Sequence, residues 1–403
     1  MNNYYASIEC LYNPRIRDKP VAVVGDAEAR HGIVLAKNQI AKRFGVKTGD
    51  PIWLARQKCR EIVTVPPHFD RYLRFSSMAR EIYGQYTNRV ESYGLDECWM
   101  DLTGEGEPQK EGRDIADRIR RTVRHELGIT ASIGVSYNKI FAKLGSDYQK
   151  PDATTVITQE NYREVLWPLP ASDLLFVGPA TTRKLACRGV HTIGELANAD
   201  PCFLHRLLGK NGLTLWQYAN GRDSSRVAFM DEAAQIKSIG NSTTAPRDLV
   251  SEQDIRITLY VLCESVAARL RAARLRCTGV QVGIRDFKLY SINRQGRLAR
   301  PCCDAETIFK QAFALFHAHH TGQPVRSLSV KAFALTGASA LQLSLYPEAM
   351  RQDRQEQLET ALDEIRRRFG NFSVRRCVML ADPELSRMDP QSDHIIHPVP
   401  FIA

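Results

Sequence analysis

Tyr93-Gly94-Leu95-Asp96-Glu97-Cys98-Trp99-Met100-Asp101 sets three carboxylates into an otherwise apolar run. Leu95, Cys98 and Met100 suit a buried strand. Asp96 and Glu97 do not, because an unpaired buried carboxylate is costly. Side chains alternate across a strand, so Glu97 shares a face with Asp101 and Asp96 takes the other. Adjacent carboxylates on one strand, joined by a third from elsewhere, suit a divalent metal that also takes substrate phosphates. A solvated hairpin turn at Gly94 and the Asp-Glu pair accounts for the same residues. The rest of the chain has to choose.

At 403 residues the chain has room for about two to four domains. Apolar residues make up 43% and charged residues 25%, the ordinary balance of a folded protein. No apolar run approaches the roughly 18 residues that span a bilayer, and no signal peptide is visible. The expectation is a cytoplasmic protein with no membrane association. The ten cysteines include no CxxC spacing and read as reduced thiols. Net charge is +10, which fits a polyanion partner. Between Ile236 and Pro347 stand 15 Lys plus Arg and 7 Asp plus Glu, so 15 − 7 = +8 of the excess is concentrated there. Nucleic acid explains that better than an acidic protein does.

Residues 1–157 alternate strand-like and helix-like stretches. Pro20–Gly25 and Gly32–Ala36 read as buried strands, and Lys37–Phe44 as a short helix closed by Gly45. Ile115, Ile119, Val123 and Leu127 recur every four residues ahead of Gly128. Ile129–Val135 is a further strand, followed by a helix bearing Lys139 and Lys143. The expectation is a mixed α/β domain. Residues 158–233 read as short helices, with a Gly178-Pro179 turn that resembles half of a helix-hairpin-helix. Such a turn presents free N–H groups to phosphate, and an ordinary capped helix has the same sequence.

Residues 234–347 read as β-α-β-β-α-β, the ferredoxin-like split motif. Ile236–Ser242 opens it and Ser251 caps its first helix. Val280, Val282 and Ile284 alternate, and Asn293-Arg294-Gln295-Gly296 is expected to turn the chain. Arg285, Lys288, Arg294, Arg297 and Arg300 lie in or beside these strands as a backbone-tracking surface. In residues 348–403, Leu358, Leu362, Ile365 and Phe369 mark one more helix, ending at Gly370. His394 and His397 lack partners at metal spacing.

In this order the motifs resemble the Y-family, DinB/UmuC-type translesion DNA polymerases. The likeness runs from residue 1 to about residue 347. Tyr93-Gly94-Leu95-Asp96-Glu97 is similar to the family's Y-S-[IL]-D-E, with Gly94 for Ser. The resemblance makes Asp96 a metal ligand and Glu97 its catalytic neighbour, and leaves Asp101 structural. Met1-Asn2-Asn3-Tyr4-Tyr5-Ala6-Ser7-Ile8-Glu9 resembles D-M-[DN]-x-F-[YF]-A-S-V-E. It implies a metal contact from the Met1 carbonyl, triphosphate contacts at Tyr4 and Tyr5, and a Tyr5 ring that excludes a ribose 2′-OH. Asn38–Val46 is similar to A-N-Y-x-A-R-K-F-G-V, with Gln39 for Tyr and Lys42 for Arg. Lys42 keeps a point charge for phosphate without the bidentate fork. Ser132–Leu144 and Lys150-Pro151 match the closing palm motif, which implies Lys150 as a second triphosphate cation.

The fold so implied is a right hand: palm and fingers over 1–157, a helical thumb over 158–233, a little finger over 234–347, and a C-terminal helix and tail. Implied too are two Mg²⁺ ions, dNTP and primer–template DNA as partners, DNA repair in an SOS response, and a monomer. Gln342-Leu343-Ser344-Leu345-Tyr346 resembles the Q-L-x-L-F peptide of sliding-clamp binders, with Tyr for Phe. The family's first metal ligand is an Asp directly before the Met that opens this sequence. A start placed too far downstream accounts for that departure. The alternative is an inactive DNA- and clamp-binding homologue. A DNA base methyltransferase, suggested by Pro301-Cys302 beside a basic surface, lacks the Gly-rich cofactor loop it needs.

Overall fold

A computed structural model of the chain describes residues 1–26, 32–104, 108–232, 235–337 and 347–387. Gln342, Leu343, Leu345, Tyr346, His394 and His397 fall outside these residues. The chain divides near residue 233 into two compact units.

The first unit opens with α1 (Tyr4–Tyr12), which buries Tyr4, Ala6, Ile8 and Glu9. Strand β1 (Val21–Val24) is buried throughout, as its unbroken valine and alanine demand. It runs between antiparallel β2 (Val34–Lys37) and parallel β3 (Val63–Val65). Asn38 caps α2 (Gln39–Arg43) by accepting from Ala41 N at 2.9 Å, and also accepts from Val21 N at 3.1 Å. One side chain thus staples helix to sheet. Helices α3 (Ile52–Lys58) and α4 (Phe69–Gly84) follow, the latter burying Tyr72, Ser76, Ala79 and Tyr83 at helical spacing.

Strands β4 (Val90–Ser92) and β5 (Cys98–Met100) form an antiparallel pair. Helix α5 (Pro108–Leu127) ends at Gly128, whose φ of +66° few other residues tolerate. Strand β6 (Ile133–Ser136), α6 (Lys139–Tyr148) and β7 (Thr154–Ile157) make a parallel β-α-β unit. A Cβ on Gly134 would run into the Ala142 carbonyl, so glycine lets α6 lie directly on β6. Five short helices complete the unit: α7 (Tyr162–Leu166), α8 (Pro179–Ala186), α9 (Ile193–Asn198), α10 (Pro201–Leu208) and α11 (Lys210–Ala219). Their leucine-rich core is continuous with Phe141 and Ile157.

The second unit runs β8 (Ser238–Leu249), α12 (Glu252–Ala272), β9 (Leu275–Asp286), β10 (Ser291–Cys302), α13 (Ala305–His319), β11 (Val325–Gly337). Sheet order is β10-β9-β11-β8, with every neighbour antiparallel. The expected β-α-β-β-α-β order is the observed one. The expected turn is not. Asn293–Gly296 lies inside β10, with Asn293 opposite Gly283 and Gly296 opposite Val280. The chain turns at residues 287–290, where Leu289 has φ +68° and the Asp286 carboxylate accepts from Tyr290 N at 2.9 Å. Gly296 serves instead to admit Gln311 of α13, which a Cβ would strike. Cys302 is fully buried against Cys277, and that contact and its burial push its thiol far above the usual range. That rules it out as an exposed nucleophile.

Helix α14 (Pro347–Phe369) exists, but not for the expected reason. Leu358 and Phe369 are 54% and 69% exposed. The buried face is acidic, with Glu356 and Glu359 only 6% and 3% exposed. Arg271 meets Glu359 at 2.7 Å and Asp363 at 2.6 Å, Arg276 meets Glu356 at 2.5 Å, and Arg376 meets Glu359 at 3.0 Å. Beyond it, α15 (Pro383–Ser386) is capped by Asp382, which also pairs with Arg247 at 2.7 Å. Part of the basic excess of residues 236–347 is therefore internal to this unit. Among the described residues no helix is long and apolar enough to cross a membrane.

Breaking a buried ion pair from one side leaves an uncompensated charge, which costs about 3–5 kcal/mol. Glu359→Ala is therefore expected to lower the denaturant midpoint of the second unit clearly. Adding Arg271→Met should restore part of the loss, as measured in a double-mutant cycle.

Candidate active site

Asp96 and Glu97 are not on a strand. They close the connection between β4 and β5, where Tyr93 N donates to Glu97 O at 2.9 Å. Buried turn carbonyls need donors, and α4 supplies them. The Arg80 guanidinium donates to Gly94 O at 2.7 Å, Ser92 Oγ at 2.8 Å and Ser76 Oγ at 2.6 Å. Ser76 in turn donates to Leu95 O. The turn is gripped by its backbone, which leaves both carboxylates to face other partners.

Glu97 Oε1 lies 2.7 Å from Lys143 Nζ on α6. Lys143 also meets Asp147 at 3.1 Å, and Asp147 meets Lys150 at 2.5 Å. Burial works against the charge of Lys143, but Glu97 and Asp147 outweigh it and hold its pKa above the usual lysine range. The Met1 amine donates to Asp96 O at 2.8 Å and lies 3.5 Å from Asp96 Oδ2. Asp101 turns away to Thr103 and Arg89, the second at 3.2 Å; Thr103 is the larger cause of its lowered pKa.

Tyr4 donates to Tyr72 O at 2.6 Å. The Tyr5 ring stacks on Tyr72 at 4.1 Å and 9°. Burial, then the charge of Asp96, push the Tyr5 phenol up to about 12, so it stays neutral. Gln39 and Lys42 lie on α2, beside the other sheet. Burial, then Lys42, lower the pKa of neighbouring Lys37. Asp96, Glu97, Lys143 and Lys150 line one cleft of about 480 Å³. Strands β5 and β6 line it too, and among the described residues each has a ladder on one edge only. Among the described residues no three Asp, Glu, His or Cys side chains gather as a metal cage. Two oxygen donors shared with substrate phosphate still suit Mg²⁺.

Gly178 is the exposed N-cap of α8. In the second unit Val280, Val282 and Ile284 face the helices, so Arg285 stands on the open face. Arg297, opposite Gly279, shares that face, as does Lys331, opposite Gln281. Arg294 is opposite Val282 and belongs to the helix-facing side of an edge strand. Lys288 sits in the turn. Sequence reading missed Arg80, Ser76 and Lys331. The first two were legible as neighbours on the unassigned α4 stripe; Lys331 needs the strand register.

A model of the impB/mucB/samB family matches residues 1–147, and one of that family's C-terminal domain matches residues 236–345. "DNA polymerase IV" of Acetivibrio thermocellus is 48% identical over 390 residues, 96% of this chain and 98% of its own length. The protein of that name in Clostridium acetobutylicum is 36% identical, over 94% of this chain and 96% of its own. "DNA polymerase IV 1" of Bacillus subtilis is 34% identical, over 95% and 92%. The chain belongs to the Y family of DNA polymerases. The solved "Y-family DNA polymerase chimera Dbh-Dpo4(243-245)-Dbh" shares its fold, with a TM-score of 0.73 at 23% identity, covering 83% of this chain and 96% of that one. As a Y-family member the chain is a DNA-directed DNA polymerase of the translesion type. The family and its relatives favour the enzyme over a non-catalytic DNA binder.

Arg80→Lys keeps the charge but loses the fork that holds Gly94 and Ser92. It should cut primer extension by roughly tenfold or more, since small displacements of catalytic groups are that costly. Circular dichroism of the variant should match the parent.

Proposed function

We propose that Asp96 and Glu97 hold the metal of nucleotidyl transfer, with Lys143 and Lys150 lining the same cleft. The observation that carries this is the backbone-gripped turn, which presents two oxygen donors beside two amines. Two Mg²⁺ ions bound there would activate the primer 3′-OH and stabilise the departing pyrophosphate. The chain's own residues do the positioning. Lys150 and Lys42 neutralise the triphosphate as it docks. The backbone at Tyr4 and Tyr5 follows the triphosphate, Gln39 stands beside it, and the Met1 carbonyl adds an oxygen near Asp96. The neutral Tyr5 ring blocks a ribose 2′-OH.

DNA binding falls to Gly178 and the open face of the second unit, through Arg285 and Arg297 with Lys288 at its edge; Arg294, on the other side, contributes less. Gln342, Leu343, Leu345 and Tyr346 dock the sliding clamp. The protein works in the cytoplasm as a monomer.

Primer extension tests the site. Asp96→Asn and Glu97→Gln should each abolish nucleotide addition while leaving primer–template binding within about twofold, because they touch the metal site and not the DNA-binding face. Extension at the parental rate by either would overturn the assignment. Arg285→Ala and Arg297→Ala should each flatten the slope of log affinity against log salt by about one. Fluorescence anisotropy measures it, and an unchanged slope would remove that residue from the interface.

A further inference from the structure

We propose that Glu9 is a positioning residue for sugar selection, acting through Tyr72 on the ring of Tyr5. This rests on the reading of Tyr5 as the sugar gate. Glu9 is 4% exposed, at the last turn of α1. Its carboxylate accepts from Tyr72 OH at 2.7 Å and from Arg71 at 3.0 Å, and meets His68 Nδ1 at 3.0 Å. All three partners come from the start of α4 or the residue before it. A carboxylate so placed would dock α1 onto α4 and do no more, if it were not for the other end of Tyr72.

Glu9 and Tyr5 stand four residues apart on α1 and so share a face. Both hold the same side chain. Glu9 takes the Tyr72 hydroxyl, and Tyr5 lies flat on the Tyr72 ring at 4.1 Å. Phe69 closes the side of Tyr5, edge-on at 5.9 Å and 80°. Tyr5 therefore cannot tilt away from an incoming sugar unless Tyr72 moves, and Tyr72 is tethered at its far end by a hydrogen bond to a charged group.

A steric gate is only as selective as it is stiff. The clash with a 2′-OH disappears if the ring yields by about an ångström, the displacement that commonly decides activity at a site. The supporting contacts, more than the ring itself, then set the discrimination. Tyr72 is fully buried, so its hydroxyl has no solvent to turn to if the carboxylate is lost.

The test measures equilibrium binding of dATP and of ATP to the chain on a primer–template with a dideoxy 3′ end and a templating thymine. Tyr72→Phe removes one oxygen and keeps the ring. It should lower the preference for dATP over ATP on the order of fivefold, a fraction of what a hydrogen bond to a charged group is worth. The gain should come through tighter ATP, with dATP affinity held within about twofold, which a general loss of structure would not produce. Glu9→Gln, which keeps an acceptor of the same length, should fall between that variant and the parent. If Glu9→Gln proves poorly folded by thermal melting, Tyr72→Phe decides alone. Tyr5→Ala is the control. If it destroys the preference while Tyr72→Phe keeps the parental ratio, the gate stands and the role of Glu9 is wrong. If Tyr5→Ala also keeps the parental ratio, the gate reading fails and takes this proposal with it.

Discussion

The Arg80 grip on the Tyr93–Glu97 turn is the contact on which the active unit depends. Two adjacent carboxylates repel, and a turn that carries them has every reason to fray. Its carbonyls also point inward, where an unmet acceptor is costly. Arg80 and Ser76 answer both needs from one helix: they fill the carbonyls of Gly94 and Leu95 and pin the backbone. With the backbone fixed, Asp96 and Glu97 both line one cleft. Helix α4 must then lie against the hairpin, and α1 against α4, which places Tyr5 near Asp96. The carboxylate pair, the placing of the Tyr5 ring and the packing of α1 all follow from where one arginine is held.

The second unit solves a different problem with the same residue type. It carries many arginines, and a surface made of all of them would bind any polyanion. Helix α14 takes Arg271 and Arg276 out of play in buried pairs, and Asp254 and Asp382 together take Arg247. What remains on the open sheet face is sparse: Arg285, Arg297 and Lys331, among small or uncharged residues such as Gly283, Ser329, Asn293 and Gln295. A flat, modestly charged face suits a backbone read without sequence preference. Such buried ion pairs are a weak source of stability, but they fix one docking geometry for α14, since a slipped helix would strand its charges.

Local patterning made much of this legible. The second unit could be read element by element because its strands alternate and its helices open on Ser251 and Asp304. The carboxylate pair was conspicuous because apolar residues surround it. Three things were hidden, each for a physical reason. The hairpin turn at Asp96 and Glu97 was open to the sequence as an alternative to a strand, but the donors on α4 that hold it were not, because a local pattern cannot show tertiary partners. The Asn293–Gly296 run looked like a turn because its residues favour turns, yet its ladder with β9 overrode the preference. The stripe Leu358–Phe369 looked like a core face because apolar residues normally are one. Here long-range ion pairs chose the opposite face, and nothing within the helix announces which arginines await it.

The cleft beside Asp96 joins the catalytic and the structural sides of the active unit. Strands β5 and β6 line it from two separate sheets, and among the described residues each is paired on one edge only. Open edges in a mixed α/β layer are a liability, since their N–H and C=O groups must find partners. A single extended segment between them would satisfy both edges and fuse two pairs of strands into one sheet. Its apolar side chains would lie among Cys98, Met100, Ile119 and Ile133, which already line the space. The cleft that Asp96 and Glu97 line is therefore also where, among the described residues, the strand pairing of this unit is least complete.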